Sequence, residues 1–382
     1  VQASPYTPGE VALTVPGRAV QLGEFDERLS YLVDLQRLIG RIRIDYAPRG
    51  LGKTSLLREY QRRARQRGVL APWVTAGEDS GLIAQIAAAI RHETQLWRGE
   101  PRARLHPMLE ALTFSVGIPG FARVDTTLRR PPPTASAGVR EFQEVITTTA
   151  SANETQGLII FVDEIQAADS VGLRTLAYAW QHLQAEGRNV PAAVFAAGLP
   201  NAPEQISSVV TFTERLAFRP LELLTTEAEE IAVSAPANAL GVAWEDDALH
   251  EALEIAQGYP HLVQLIADAA WAAAGQPGPG ATITLEHVRH GREATRADLA
   301  ALFRARWVNA SVREQELMSA IAMLGDGPVR RSDVAHAMDV TAASLSVPRG
   351  RLIDKGLIQA RGHGLLEFTI PGFASFIRGL AD

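Results

Sequence analysis

The stretch that most constrains this chain is Ile42-Arg43-Ile44-Asp45-Tyr46-Ala47-Pro48-Arg49-Gly50-Leu51-Gly52-Lys53-Thr54-Ser55. Ile42, Ile44 and Tyr46 alternate with polar residues and read as a short buried strand. Pro48, Gly50 and Gly52 break that strand into a tight loop. Lys53-Thr54-Ser55 then opens a run with helical spacing at Leu56, Leu57 and Tyr60. Strand, Gly-rich loop, Gly-Lys-Thr and helix form the pattern that cradles a polyphosphate.

The chemistry asks for those residue types at that spacing. Glycines let successive backbone N–H groups converge as a nest. The following helix contributes its unpaired N-terminal N–H groups and the positive end of its dipole. Pro48, Arg49, Gly50, Leu51, Gly52, Lys53, Thr54 and Ser55 are therefore the candidate phosphate-binding residues. Lys53 would place a mobile charge on the outer phosphates, and Thr54 would ligate Mg²⁺. Ala47 stands where the pattern usually begins with glycine; a negative φ there would leave the loop competent. Lys53 and Lys355 are the only lysines, and every other basic side chain apart from histidine is arginine.

A second marker follows about a hundred residues later. Gly157-Leu-Ile-Ile-Phe-Val-Asp163-Glu164 is an apolar run ending in two acids, as expected of a buried parallel strand with carboxylates at its C-terminal edge. Ligands bind at that edge in open α/β sheets. Asp163 is expected to hold the metal shell, and Glu164 to orient and deprotonate an attacking water. A further buried strand over 189–197 leads to Asn201, placed to face the terminal phosphate. Thr213–Pro220 reads as a last short strand flanked by Arg215 and Arg219.

With 382 residues the chain is long enough for two or three domains. A formal net charge of −6 confines any nucleic-acid contact to a local patch. The absence of cysteine excludes disulfides, thiol catalysis and Cys-ligated zinc. No stretch reaches the length of a membrane span. With no basic-then-apolar signal pattern at the start, a cytoplasmic protein without membrane contact is expected.

The fold class expected is α/β: a P-loop NTPase core on a parallel sheet, an all-helical lid, and a C-terminal winged helix-turn-helix. Residues 1–22 read as an arm and 23–220 as the core. Within the core, 25–39 is a helix that could cover a base, and 98–136 is an Arg/Pro/Gly-rich insertion with a hairpin over 114–124. Residues 221–308 read as the lid, with no strand from 221 until the end of the chain. Residues 309–382 read as three helices and a strand–turn–strand over 356–370. Over 349–361, Arg349, Arg351, Lys355 and Arg361 face one acid, Asp354, and His363 joins them at the turn as a candidate DNA contact.

These motifs resemble the AAA+ ATPases of the initiator-like clade over nearly all of 23–382. Pro48–Thr54 is similar to that family's phosphate loop, and Val162–Gln166 to its acidic strand end. The resemblance implies ATP or ADP with Mg²⁺ as ligands. It puts Asn201 in the first-sensor role and makes Arg215 an arginine finger, with Arg219 second, reaching the nucleotide of a neighbouring subunit. A homo-oligomer is therefore expected. Gly258-Tyr259-Pro260-His261 falls where the second sensor lies, with His261 in place of the usual arginine. That departure, with Ala47, implies slow turnover. Two functions follow: an ATPase coupling nucleotide state to DNA through the winged helix, or a STAND-like signalling switch acting on a protein partner.

Overall fold

The computed structural model describes residues 2–77, 81–115, 135–186, 189–362 and 364–380. It divides into two compact units. One comprises 19–46 and 56–220, the other 1–18, 47–55 and 221–382.

The first unit is built on a five-stranded sheet of β1 (Ile42–Tyr46), β2 (Trp73–Thr75), β3 (Leu158–Asp163), β4 (Ala192–Gly198) and β5 (Leu216–Pro220). Their order is β2-β3-β4-β1-β5, every pairing parallel. In a parallel sheet both faces are covered, so strands read as near-continuous apolar runs. β3 and β4 obey this, buried at every position. On one face Ile42, Ile44, Ile160, Val162 and Val194 pack against helices α3 (Leu82–Glu93), α4 (Gly99–Ser115), α5 (Ala135–Ala150) and α6 (Ser170–Ala185). On the other, Phe25 of α1 (Ala19–Asp34) stacks on Tyr60 of α2 (Lys53–Gln66) at 4.5 Å between ring centroids, and both meet Phe195 edge-on.

That second face also buries ions. β1 alternates as expected, but its polar residues are not solvated. Arg43, 2% exposed, donates from Nε to Asp45 Oδ1 at 3.0 Å and from Nη1 to Glu24. Covering both sides of the sheet turned an apparently amphipathic strand into one with a buried ion pair.

Several boundaries differ from expectation. The helix read over 25–39 starts at Ala19 and ends at Asp34, with Gln36 in a left-handed turn beyond it. The segment read as an insertion contains α4, whose Leu105, Leu109 and Leu112 are buried. The hairpin expected over 114–124 falls largely outside the described residues, and Phe114 and Ser115 end α4.

In the second unit, α8 (Thr226–Ala239), α9 (Asp246–Ala256), α10 (Pro260–Ala273) and α11 (Leu285–Val308) form a helical bundle. The expectation of no strand here is corrected by β6 (Ala243–Trp244) and β7 (Thr282–Ile283), a two-residue parallel pair. The N-terminal segment is docked. Tyr6 meets Trp244 and Trp271 edge-on and donates to the Val233 carbonyl at 2.5 Å.

The remainder runs α12 (Val312–Leu324), β8 (Val329–Arg330), α13 (Arg331–Ala337), α14 (Ser346–Asp354), β9 (Ile358–Arg361), β10 (Leu365–Phe368) and α15 (Phe373–Arg378). Ser311 and Glu314 form a capping box that starts α12. The three strands pair antiparallel in the order β8-β10-β9. The strand read through Ile370 stops at Phe368, and β8 and α15 are additions to the sequence reading. Phe373 packs with both Phe368 and Phe376, and Phe373 and Phe376 pack with Phe303 of α11.

Candidate functional site

The first group of site residues sits at the C-terminal edge of the parallel sheet. β1, β3 and β4 run in the same direction, so their ends share one edge, and the phosphate loop departs directly from the end of β1. Asp163 closes β3, is 5% exposed, and accepts the Glu164 backbone N–H at Oδ1, 2.9 Å away.

Glu164 itself has φ 52° and ψ 40°, the left-handed region. A non-glycine residue there costs of order 1 kcal/mol, and such outliers cluster at functional sites. The Glu164 carboxylate accepts from Gln166 Nε2 at 2.5 Å, and Gln166 Oε1 accepts the Leu199 backbone N–H at 2.9 Å. Gln166 was not singled out by sequence reasoning as a functional residue.

Asn201 stands at the start of α7 (Ala202–Val209). Its Oδ1 is buried and has no hydrogen-bond partner, a polar atom that a ligand would satisfy. Arg58, on α2, lies 3.5 Å from the centroid of the Trp73 ring. Burial, then the nearby Arg65, lowers its pKa, opposed by the Asp163 charge. Arg215 is half-buried in the turn before β5 and donates to Gln184 Oε1 at 3.0 Å. Arg219, on β5, donates to the Phe218 carbonyl.

The second group is the phosphate loop. Gly50 and Gly52 have φ of 87° and 81°, conformations that side chains resist, whereas Ala47 has no positive φ. A Cβ at Gly52 would meet nothing within 4 Å, which leaves an open cradle. Lys53 Nζ donates across the loop to the Pro48 carbonyl at 2.9 Å. The outer side of the loop is held by its own unit. Tyr259 donates its phenol to the Arg49 carbonyl, and the His261 N–H donates to the Gly50 carbonyl at 3.2 Å. Arg18, buried, donates to the carbonyls of Leu51 and Glu222. The Ala12 N–H donates to Ser55 Oγ. Burial, then the Arg306 charge, pushes His261 below the usual histidine pKa. Burial pushes the Tyr259 phenol up to about 12, so it remains a donor.

The residues present fit a magnesium nucleotide. Backbone donors, a lysine and an open glycine cradle suit a polyphosphate. Among the described residues no group of three or more His, Asp or Glu could hold a metal alone. Mg²⁺ needs only one or two protein oxygens beside phosphates.

Residues 34–195 match the family model of the AAA ATPase domain. That segment is similar to AAA ATPase domains. Residues 300–377 match a domain of unknown function, DUF8462. No curated protein sequence matches. Among solved structures, the ORC2 protein of Aeropyrum pernix, in ADPNP–ADP complexes, aligns at TM-score 0.61 and 13% identity, over 98% of this chain and 96% of that one. A Walker-type ATPase of Pyrococcus abyssi aligns at TM-score 0.59 and 13% identity, over 96% of this chain and 99% of that one. At that identity the likeness establishes the fold alone.

The residues expected to touch DNA are scattered in their availability. Arg349 and Arg351 lie on α14, half-buried and exposed. Arg361 ends β9, and His363 lies outside the described residues. Lys355, itself exposed, is paired within its own unit. Its ammonium donates to Glu314 Oε2 at 2.6 Å and to the Asn309 carbonyl at 2.9 Å, and Glu314 is 1% exposed. A buried carboxylate has claimed it, so it ties the end of α14 to the start of α12.

Proposed function

We propose that the ATPase domain binds ATP with Mg²⁺ and hydrolyses it slowly, and that the C-terminal residues 309–382 form a winged helix that binds DNA in step with the nucleotide. The observation that carries the reading is the loop after β1 that opens α2, with Gly50 and Gly52 both at positive φ.

In this reading loop 48–52 binds the phosphates through backbone N–H groups, and Lys53 exchanges the Pro48 carbonyl for phosphate oxygens. Thr54 and Asp163 would hold Mg²⁺, which would supply charge neutralisation at the phosphates. Asn201 turns its side-chain amide to the terminal phosphate. Glu164 orients a water and takes its proton as the new P–O bond forms and the bond to the leaving ADP oxygen breaks. Catalysis of this kind is mostly positioning and electrostatics. Arg215 would act in trans on a neighbouring copy after leaving Gln184, which makes a homo-oligomer part of the proposal. Arg349, Arg351, Lys355, Arg361 and His363 are the proposed DNA contacts.

One observation favours a second reading, a nucleotide-dependent switch that acts on a protein partner. Gly356, at the end of α14, lies so near the phosphate loop that a Cβ would be 3.3 Å from Pro48 Cα. A C-terminal module resting on the loop could report nucleotide state without reading DNA.

Phosphate release from ATP, measured with and without duplex DNA at low salt, separates the two. Turnover stimulated by DNA supports the first reading. Turnover indifferent to DNA, with no DNA retained by the protein, supports the switch. Glu164→Gln should keep bound ATP and lose turnover, and unchanged turnover would remove Glu164 from its role.

A further inference from the structure

We infer that Gln166 is a positioning residue that joins the general base to the neighbouring sensor strand. The inference rests on the hydrolysis reading for its catalytic meaning, and on the geometry for its existence. One side-chain amide makes both bonds. Its Nε2 donates to the Glu164 carboxylate, and its Oε1 accepts the N–H of Leu199, two residues before Asn201.

The surroundings leave little room for another arrangement. Gln166 lies in the 3-10 turn Ile165–Ala167 that follows the left-handed Glu164. A Cβ at Gly198 would stand 3.2 Å from Gln166 Oε1 and 2.7 Å from the Ala202 Cβ. Glycine at 198 therefore lets the amide lie flat against the end of β4. The Ala202 N–H in turn donates to the Leu199 carbonyl at 2.9 Å. The segment whose Leu199 N–H donates to Gln166 Oε1 thus also begins α7 and carries the unpartnered Asn201 Oδ1.

The consequence is a two-bond relay. Glutamate carboxylates have three rotatable bonds, and a left-handed backbone gives Glu164 no helix or strand to restrict them. The amide bond fixes one oxygen, leaving the other for water. When Asn201 engages a terminal phosphate, movement of 198–201 passes through Leu199 N–H to Gln166 and so to the carboxylate. Without the amide, nucleotide still binds, but the base is no longer aimed. A single positioning hydrogen bond of this kind corresponds to about tenfold in rate.

Gln166→Met keeps the side chain's length and removes both bonds. In the full chain it should lower kcat about tenfold while nucleotide affinity and KM stay within about twofold. In a Glu164→Gln background it should cost the residual single-turnover rate nothing more, because residues acting as one unit are not additive. Wild-type kcat in Gln166→Met, or a full tenfold loss on top of Glu164→Gln, overturns the relay.

Amide hydrogen exchange judges the linkage without turnover. Glu164→Ala should speed exchange at Leu199 about threefold, although Leu199 N–H is bonded to Gln166 and not to Glu164. Unchanged exchange at Leu199 overturns the inference. If the wild type binds nucleotide but never hydrolyses it, the ATPase reading falls and the exchange result alone decides whether the linkage exists.

Discussion

The phenol of Tyr259 donates its hydrogen to the carbonyl oxygen of Arg49, inside the phosphate loop. The same ring occupies the space a side chain at Gly50 would need, since a Cβ there would lie 2.3 Å from the Tyr259 oxygen. The loop is thus shaped from outside by a residue two hundred positions away. Gly50→Ala should fail twice, through a φ of 87° and through the clash with Tyr259. Calorimetry with MgATP should find no binding by Gly50→Ala. Tyr259→Phe loses one hydrogen bond, about 1 kcal/mol, and should bind roughly fivefold more weakly.

His261 makes the loop's support sensitive to acid. Its pKa is depressed, by burial first and by Arg306 second, and Arg49 adds a further positive charge to Arg306's surroundings. The unfolded chain therefore takes up the proton first. The contribution of neutral His261 is complete above the ordinary histidine pKa of about 6.5 and is lost as pH falls through the lower, folded value. Histidine ring signals followed by NMR should show His261 titrating below the exposed histidines. Denaturant midpoints should fall less steeply with acid in His261→Gln than in the wild type.

Arg43 and Asp45 are both almost inaccessible, with the Tyr60 phenol beside the carboxylate. Removing one charge strands the other. Arg43→Met leaves Asp45 buried without its cation and should cost about 4 kcal/mol. Asp45→Leu leaves Arg43 with Glu24 and should cost less. The pair Arg43→Met with Asp45→Leu should recover part of the loss. Urea unfolding of the three variants checks the order.

How far the sequence could foresee this depends on the length of each signal. β1, the loop and the start of α2 were legible because alternation, glycines and Lys53 follow one another without interruption. The unbroken apolar run of β3 identified Asp163 and Glu164 in the same way. Gln166 lay inside the quoted acidic motif, but its role was illegible, since its partner Leu199 is 33 residues away. Tyr259 stood in a motif already noticed, yet its bond to Arg49 is a matter of tertiary approach. β6 and β7 are two residues each, too short for alternation to register. In α4 the arginines and Pro107 outweighed a readable spacing of Leu105, Leu109 and Leu112, which the core enforces. Lys355 looked like one more cation in a basic stretch, because its buried partner Glu314 lies on another helix.

Arg349 and Arg351 test the C-terminal reading. Replacing both with alanine should weaken DNA binding and flatten its dependence on salt, by up to about two in the logarithmic slope if each neutralises a phosphate. Lys355→Ala should instead lower stability, because it leaves Glu314 buried without its ion pair. Fluorescence anisotropy across a salt series, beside thermal melts, distinguishes the two effects.

The central claim is that residues 48–55 grip a nucleotide polyphosphate. Isothermal titration of the full chain with MgATP and MgADP, beside Lys53→Ala, addresses it most directly. Saturable binding near one nucleotide per chain, lost in Lys53→Ala while the fold persists by circular dichroism, is the result expected. Folded wild-type protein that takes up neither nucleotide would contradict the account.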